Sequence, residues 1–178
     1  VNSVADGNQR QQLIHDIQTT SPDTELWSEP RVQQYKPSVS IGVLRIAQIG
    51  LEAPIVEGTA DENLNSGIGW MQESSKLGGK GNVVLAAHRD GIFRGLENIK
   101  PGAEIEIMTP TSLDKYLVTA THIVDPDDVW ILKQQGYATL TLVTCYPFYF
   151  VGSAPQRFIV NADRLIDKTP LSKGAETK

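Results

Sequence analysis

Cys145, His88 and Arg157 are the residues whose types allow nucleophilic chemistry, and each stands at the edge of an apolar run. Cys145 closes ATLTLVTC and is followed by Tyr146 and Pro147, so the thiol is expected at a strand end beside a loop. His88 closes NVVLAAH and is followed at once by Arg89 and Asp90. Arg157 opens RFIV, twelve residues after Cys145. A thiol supplies a nucleophile, an imidazole a proton carrier and a guanidinium a permanent cation. An unperturbed thiol, with a pKa near ~8.5, is mostly protonated at neutral pH, and a neighbouring histidine favours the thiolate. Attack on an amide carbonyl builds negative charge that an arginine can bind, and protonated histidine can supply the departing amine. Taken singly, each residue has an ordinary reading: a buried structural cysteine, a hydrogen-bonded histidine, a surface arginine. Only convergence gives the three a common task, and spacing along the chain does not establish it.

These residues need elements to present them. Residues 39–49 (VSIGVLRIAQI) and 53–58 (APIVEG) read as strands. ADENLNSGIGW reads as a brief helical turn running into a glycine-rich loop, and NVVLAAH as a buried strand. IFRGLENI is a short helical excursion. AEIEIM alternates cleanly, and DKYLVTATHIVD forms a longer strand, with Tyr116, Val118, Ala120 and His122 expected on one face. PDDVWILKQQG is a turn with a helical piece, and ATLTLVTC and QRFIVNADRL complete the set. Seven or eight short strands with small helical insertions predict a mostly β barrel or sandwich whose strand order cannot be read. Before them, residues 1–38 read as an N-terminal helix and arm, with Leu13, Ile14 and Ile17 at helical spacing and Pro22 and Pro30 as breakers. The barrel is expected over 39–170, and 171–178 read as a disordered tail.

Composition removes several functions. The chain has 178 residues, enough for one domain with a core, and 40% of them are hydrophobic. A net charge of −5 without a basic cluster argues against nucleic acid. No apolar run of about 18 residues is present to span a bilayer. Val1 opens directly onto polar sequence, with no secretory signal. The single cysteine excludes an internal disulfide and a multi-thiolate zinc site, and His15, His88 and His122 show no metal-binding spacing.

TLVTC at 141–145, with His88 upstream and Arg157 downstream, resembles the sortase signature TLxTC…R. IGVLRIAQIGLEAPIVEG, ENLNSGIGW, GNVVLAAHRDGIF, GLENIKPGAEIEI, TLVTCYPF and APQRFIVNA are similar, in that order, to successive family segments across about residues 39 to 163. The resemblance implies an eight-stranded sortase-type β-barrel with short helices and an N-terminal helical arm. It also implies a cysteine transpeptidase. Cys145 would cleave a C-terminal LPxT-like sorting motif at the threonine carbonyl, form a thioester, and pass the acyl group to an amine on the cell wall or another protein. His88 and Arg157 carry over as catalytic partners, and Thr144 as a residue orienting site or substrate. The family implies action at the extracytoplasmic face of a bacterial membrane, with an anchor expected upstream of Val1.

YPF after Cys145 resembles the class D branch, with Gram-negative sortases as a further source of such sequences. Ala47 stands where many relatives have proline, and Gly91 and Ile92 follow HRD where threonine and a bulkier residue are common. Other readings are a cysteine hydrolase with water as acceptor, and an inactive barrel kept as a binding module, which is disfavoured by the three occupied catalytic positions. No cofactor is required. Asp125, Asp127 and Asp128 are a candidate calcium loop, but they lack regular ligand spacing and read as solvated. Asp90 is a candidate to orient His88, and His122 is expected to pack. Trp130 is expected on the barrel wall, with a substrate groove as the alternative. Trp27 in the N-terminal arm is a candidate plug for an apolar groove.

Overall fold

A computed structural model describes residues 39–166, so the expected N-terminal helix and arm with Trp27, and the 171–178 tail, lie outside the described residues. Eight strands form: β1 (Ser40–Ile46), β2 (Leu51–Glu57), β3 (Ile68–Trp70), β4 (Asn82–Ala86), β5 (Glu104–Met108), β6 (Leu113–Val124), β7 (Thr139–Tyr146) and β8 (Gln156–Arg164). They close into a barrel in the order β1-β2-β3-β4-β7-β8-β6-β5. Two neighbouring pairs, β2–β3 and β4–β7, are parallel and the rest antiparallel. Closure leaves no strand edge unpaired, which suits a sheet of short strands.

Alternation directs one side of every strand inward. Leu44, Ile55, Leu85, Ile105, Leu140 and Leu142 are completely buried in the interior cluster. Removing a side chain of this size from water stabilises the fold by about 1.5–3 kcal/mol each. Residues Ile92–Asn98 form a 3-10 helix whose Phe93 and Leu96 are also completely buried. The expected helical excursion is thus a stopper for the barrel, fixed by two apolar side chains.

Two features differ from the sequence reading. Ile68–Trp70, read as a glycine-rich loop, is a strand that pairs with β2 on one side and β4 on the other. Glycine weakens strand propensity, but at Gly69 a Cβ would fall 2.5 Å from the Gly58 carbonyl oxygen and 2.7 Å from Leu64 Cδ2. Close approach of a neighbouring loop demands glycine there. In β6, a register shift between Val118 and Ala120 inserts one residue against β8. Beyond this bulge the faces exchange, so Thr121 and Ile123 pair with the inward Val160 and Phe158, while Ala120 and His122 turn outward. The single continuous face expected for Tyr116, Val118, Ala120 and His122 is therefore corrected.

At the pole remote from Cys145, the buried Asp114 carboxylate accepts hydrogen bonds from Arg164 and from Ser112, the latter at 2.9 Å. Tyr116 is completely buried beside this pair, and its hydroxyl has no partner among the described residues. Burial, reinforced by the Asp114 charge, pushes the Tyr116 hydroxyl up to about 12. In the unfolded chain it ionises near ~10. Between these values the unfolded state loses a proton that the folded state keeps, so stability is complete below about pH 10 and falls above it. A two-unit gap corresponds to roughly 2–3 kcal/mol. Tyr116→Phe is expected to be neutral or slightly stabilising at pH 7 and to reduce the loss between pH 10 and 12, as measured by urea denaturation across that range.

Candidate active site

Strand β7 lies between β4 and β8, and its pairing to each carries one partner toward Cys145. The parallel ladder with β4 runs from Asn82↔Thr139 to Ala86↔Val143. It continues past the end of β4, because the Ala87 amide donates to the Val143 carbonyl at 3.3 Å. The Thr144 hydroxyl then donates to the Ala87 carbonyl at 2.8 Å, in a buried bond. The strand ladder itself ends at Ala86↔Val143, and His88 follows two residues later, at the same end of the parallel pair as Cys145. On the other side, Cys145 is directly opposite Arg157 in the antiparallel β7–β8 ladder. Directly opposed residues share a face, with Cβ atoms about 4.5–5.5 Å apart.

Cys145 and Arg157 face out of the barrel. Val83, Leu85 and Ala87 of the β4 run belong to the interior cluster, as do Leu140 and Leu142 of β7 and Val160 and Ala162 of β8. The alternate positions in β7 and β8, Cys145 and Arg157, therefore project to the outer side, and His88 follows the inward Ala87 just beyond the end of β4. All three are half-buried. His88 sits two residues beyond β4, where its carbonyl accepts the Phe93 amide at 3.2 Å and starts the turn into the stopper helix. Pro147, which has no amide hydrogen, follows the last residue of β7 and ends its ladder.

Arg157 is held by its own backbone surroundings. Its Nη1 donates to the carbonyls of Ala154 at 3.2 Å and Gln156 at 2.9 Å. Nε and Nη2 have no partner among the described residues. The guanidinium is thus anchored at one nitrogen, and among the described residues its other donors are open. The Cys145 thiol is a free cysteine, and no hydrogen bond joins it to His88 among the described residues. Thr144 faces inward, and its contact is with the backbone one residue before His88.

A buried polar network fixes the lower part of the same outer face. Asn82 Oδ1 accepts from Thr141 Oγ1 at 2.8 Å and from Thr139 Oγ1 at 3.3 Å, and Asn82 Nδ2 donates to the Ile131 carbonyl at 3.0 Å. Gln134 Oε1 accepts the Asn82 amide at 3.0 Å and the Ser75 hydroxyl at 2.8 Å. These bonds draw the β6–β7 connection, with its short helix Val129–Leu132, over strands β4 and β7. Asn82 was not singled out in the sequence; an asparagine opening a run of apolar residues was the available signal.

The secondary candidates separate. Asp90 is exposed in the turn after His88. His122 packs edge-on against Trp130 with ring centroids 5.4 Å apart. Trp130 also borders a polar pocket of about 160 Å³ with Thr119, Thr141 and Asn161. The Asp128 carboxylate accepts the Asp125 amide at 3.1 Å and so closes its own turn. Among the described residues, no group of three His, Cys, Asp or Glu residues stands ready to hold a metal ion, and no helix is long and apolar enough to cross a membrane.

The family profile described as "Sortase domain" matches residues 44–165. The chain is similar to sortase D of Bacillus subtilis (strain 168), with 37% identity over 134 residues, covering 74% of this chain and 68% of that protein. Its fold is similar to the sortase D5 transpeptidase of Clostridium perfringens (TM-score 0.65, 29% identity, 71% of this chain and 79% of that one). It is also similar to sortase A of Corynebacterium diphtheriae (TM-score 0.68, 30% identity, 76% and 64%). The chain belongs to the sortase family of cysteine transpeptidases. Its closed eight-stranded barrel is the sortase fold.

Thr144→Val keeps the shape of the side chain but removes the buried bond to the Ala87 carbonyl. It is expected to lower stability by about 1–3 kcal/mol in urea denaturation, because a buried acceptor loses its donor. Thr144→Ser, which keeps the hydroxyl, should recover much of that loss.

Proposed function

We propose that Cys145, His88 and Arg157 catalyse transpeptidation through a thioester, acting on a protein with an LPxT-like motif near its C-terminus. The observation that carries this reading is that Cys145 and Arg157 are directly opposed on adjacent strands, with His88 two residues past the end of β4, the strand paired parallel to β7 on its other side. Cys145 passes its proton to His88, and the resulting Sγ thiolate attacks the threonine carbonyl carbon. The oxygen that gains charge is bound by the free Nε and Nη2 donors of Arg157, whose orientation is set by the Nη1 anchors. As the C–N bond breaks, His88 gives its proton to the departing amine, leaving the acyl group on sulfur. An incoming amine attacks the thioester, His88 takes up its proton, and the Cys145 sulfur leaves. Family membership supports a role in anchoring proteins at the cell surface. We place the reaction at the extracytoplasmic face of a bacterial membrane, with an amine of the cell wall or of another protein as acceptor.

The test is mass spectrometry after incubation with an LPxT-containing peptide library and triglycine. A ligated peptide and an acyl-enzyme on Cys145 are expected. Cys145→Ala should abolish both. His88→Ala is expected to lower turnover by about 10²–10⁴-fold, and Arg157→Ala by about 10²–10³-fold. Cleavage without ligation would instead indicate a hydrolase. Neither acyl-enzyme nor product from any peptide would contradict the proposal.

A further inference from the structure

In the hairpin loop between Cys145 and Arg157, Phe148 packs against the core, whereas Tyr149, Phe150, Val151, Gly152 and Ser153 are all exposed, and Val151 is 99% exposed. The exposed stretch is nevertheless fastened by side chains of the segment that follows His88. Arg89 Nη2 donates to the Phe150 carbonyl at 2.9 Å and to the Gly152 carbonyl at 3.0 Å. The same guanidinium lies 5.8 Å from the centre of the Phe150 ring. Further along, the Arg94 guanidinium lies 4.8 Å from the centre of the Tyr149 ring, and the Tyr149 hydroxyl donates to Glu97 at 3.1 Å.

The two sides differ in rigidity. Phe93 and Leu96 fix residues 92–98 to the core, and the Phe93 amide bonds the His88 carbonyl, so Arg89 and Arg94 act from a firm base on the exposed 149–153 stretch of the loop. Arg89 Nη1 is buried and has no partner among the described residues. A buried donor without an acceptor is unfavourable, so best use of hydrogen bonds for stability does not account for this arginine. Its two bonds are to backbone carbonyls, so they hold the path of the loop independently of its side chains.

We propose that Arg89 is a positioning residue for transpeptidation: by clamping the 147–155 loop to the segment after His88, it sets the spacing between His88 on one side and Cys145 with Arg157 on the other. This rests on the catalytic reading above. A misplacement of about 1 Å can cost roughly a hundredfold in rate while leaving peptide binding intact. A lysine at this position supplies donors to the same carbonyls but lacks the planar guanidinium.

The experiment compares the full chain with Arg89→Ala and Arg89→Lys by hydrogen–deuterium exchange and by steady-state ligation of an LPxT peptide to triglycine. Arg89→Ala is expected to speed exchange in residues 147–155, leave strands β1 and β2 protected, and lower kcat by about tenfold to a hundredfold with KM within about twofold. Arg89→Lys should lie between it and the parent. Tyr149→Phe, which cuts only the bond to Glu97, should give a smaller change of the same kind and serves as the second variant if Arg89→Ala loses protection throughout. Unchanged exchange in 147–155 would overturn the clamp, and this readout needs no substrate. Faster exchange with kcat unchanged, or, across both variants, kcat falling only where protection is lost throughout the chain, would overturn the positioning role. A parent chain without ligation activity would overturn the catalytic reading and the positioning role with it, while exchange still judges the clamp.

Discussion

The parallel pairing of β4 with β7 is the constraint on which the site depends. Parallel strands need cover on both faces, and here each face has its own. Inside, Val83, Leu85, Leu140 and Leu142 enter the common core. Outside, the β6–β7 connection is drawn over the pair through Asn82, whose amide group bonds Thr139, Thr141 and the Ile131 carbonyl. A slip of one residue would turn the apolar set outward and the reactive residues inward. The interior packing and the Asn82 bonds reject that slip together, so the forces that stabilise the barrel also fix the end of β4, which leads into His88, against β7, which carries Cys145.

The antiparallel pairing of β7 with β8 completes the arrangement from the other side. Cys145 and Arg157 are directly opposed, and the guanidinium is steadied by carbonyls of the chain leading into β8. Cys145 and Arg157 thus stand side by side on the outer face of the sheet. Connections between strands border this face. Two such connections, Val129–Leu132 and 147–155, are each tied by hydrogen bonds to β4 or to the segment that follows it. Strand β4 and its continuation thus carry the histidine and also hold both walls.

Much of this was legible in the residues. Apolar runs ending in His88 and Cys145 marked strand ends, and IFRGLENI read as the short helical excursion that forms at Ile92–Asn98. Strand order was not legible, because pairing between distant segments leaves no local pattern; the resemblance to sortases supplied the closed barrel. The strand at Ile68–Trp70 was missed because its glycine answers a contact with Gly58 and Leu64, a tertiary demand opposed to local propensity. The inversion of face within β6 was missed because a bulge is a mismatch between partners, invisible in one strand alone. Thr144 was named from the family pattern, and its bond to the Ala87 carbonyl gives it a physical role that the pattern did not describe. The tie between Arg89 and the loop before Arg157 joins backbone carbonyls, which carry no sequence signature.

The central claim is that strand register brings His88, Cys145 and Arg157 to bear on one reacting carbonyl. A crystal structure of the chain with a peptide aldehyde bound to Cys145 tests it most directly. The account predicts the former aldehyde oxygen about 2.7–3.1 Å from the Arg157 guanidinium, with the His88 imidazole on the leaving-group side of the same carbon. An adduct whose oxygen points away from Arg157, or a His88 ring on the far side of the barrel wall from Cys145, would contradict it.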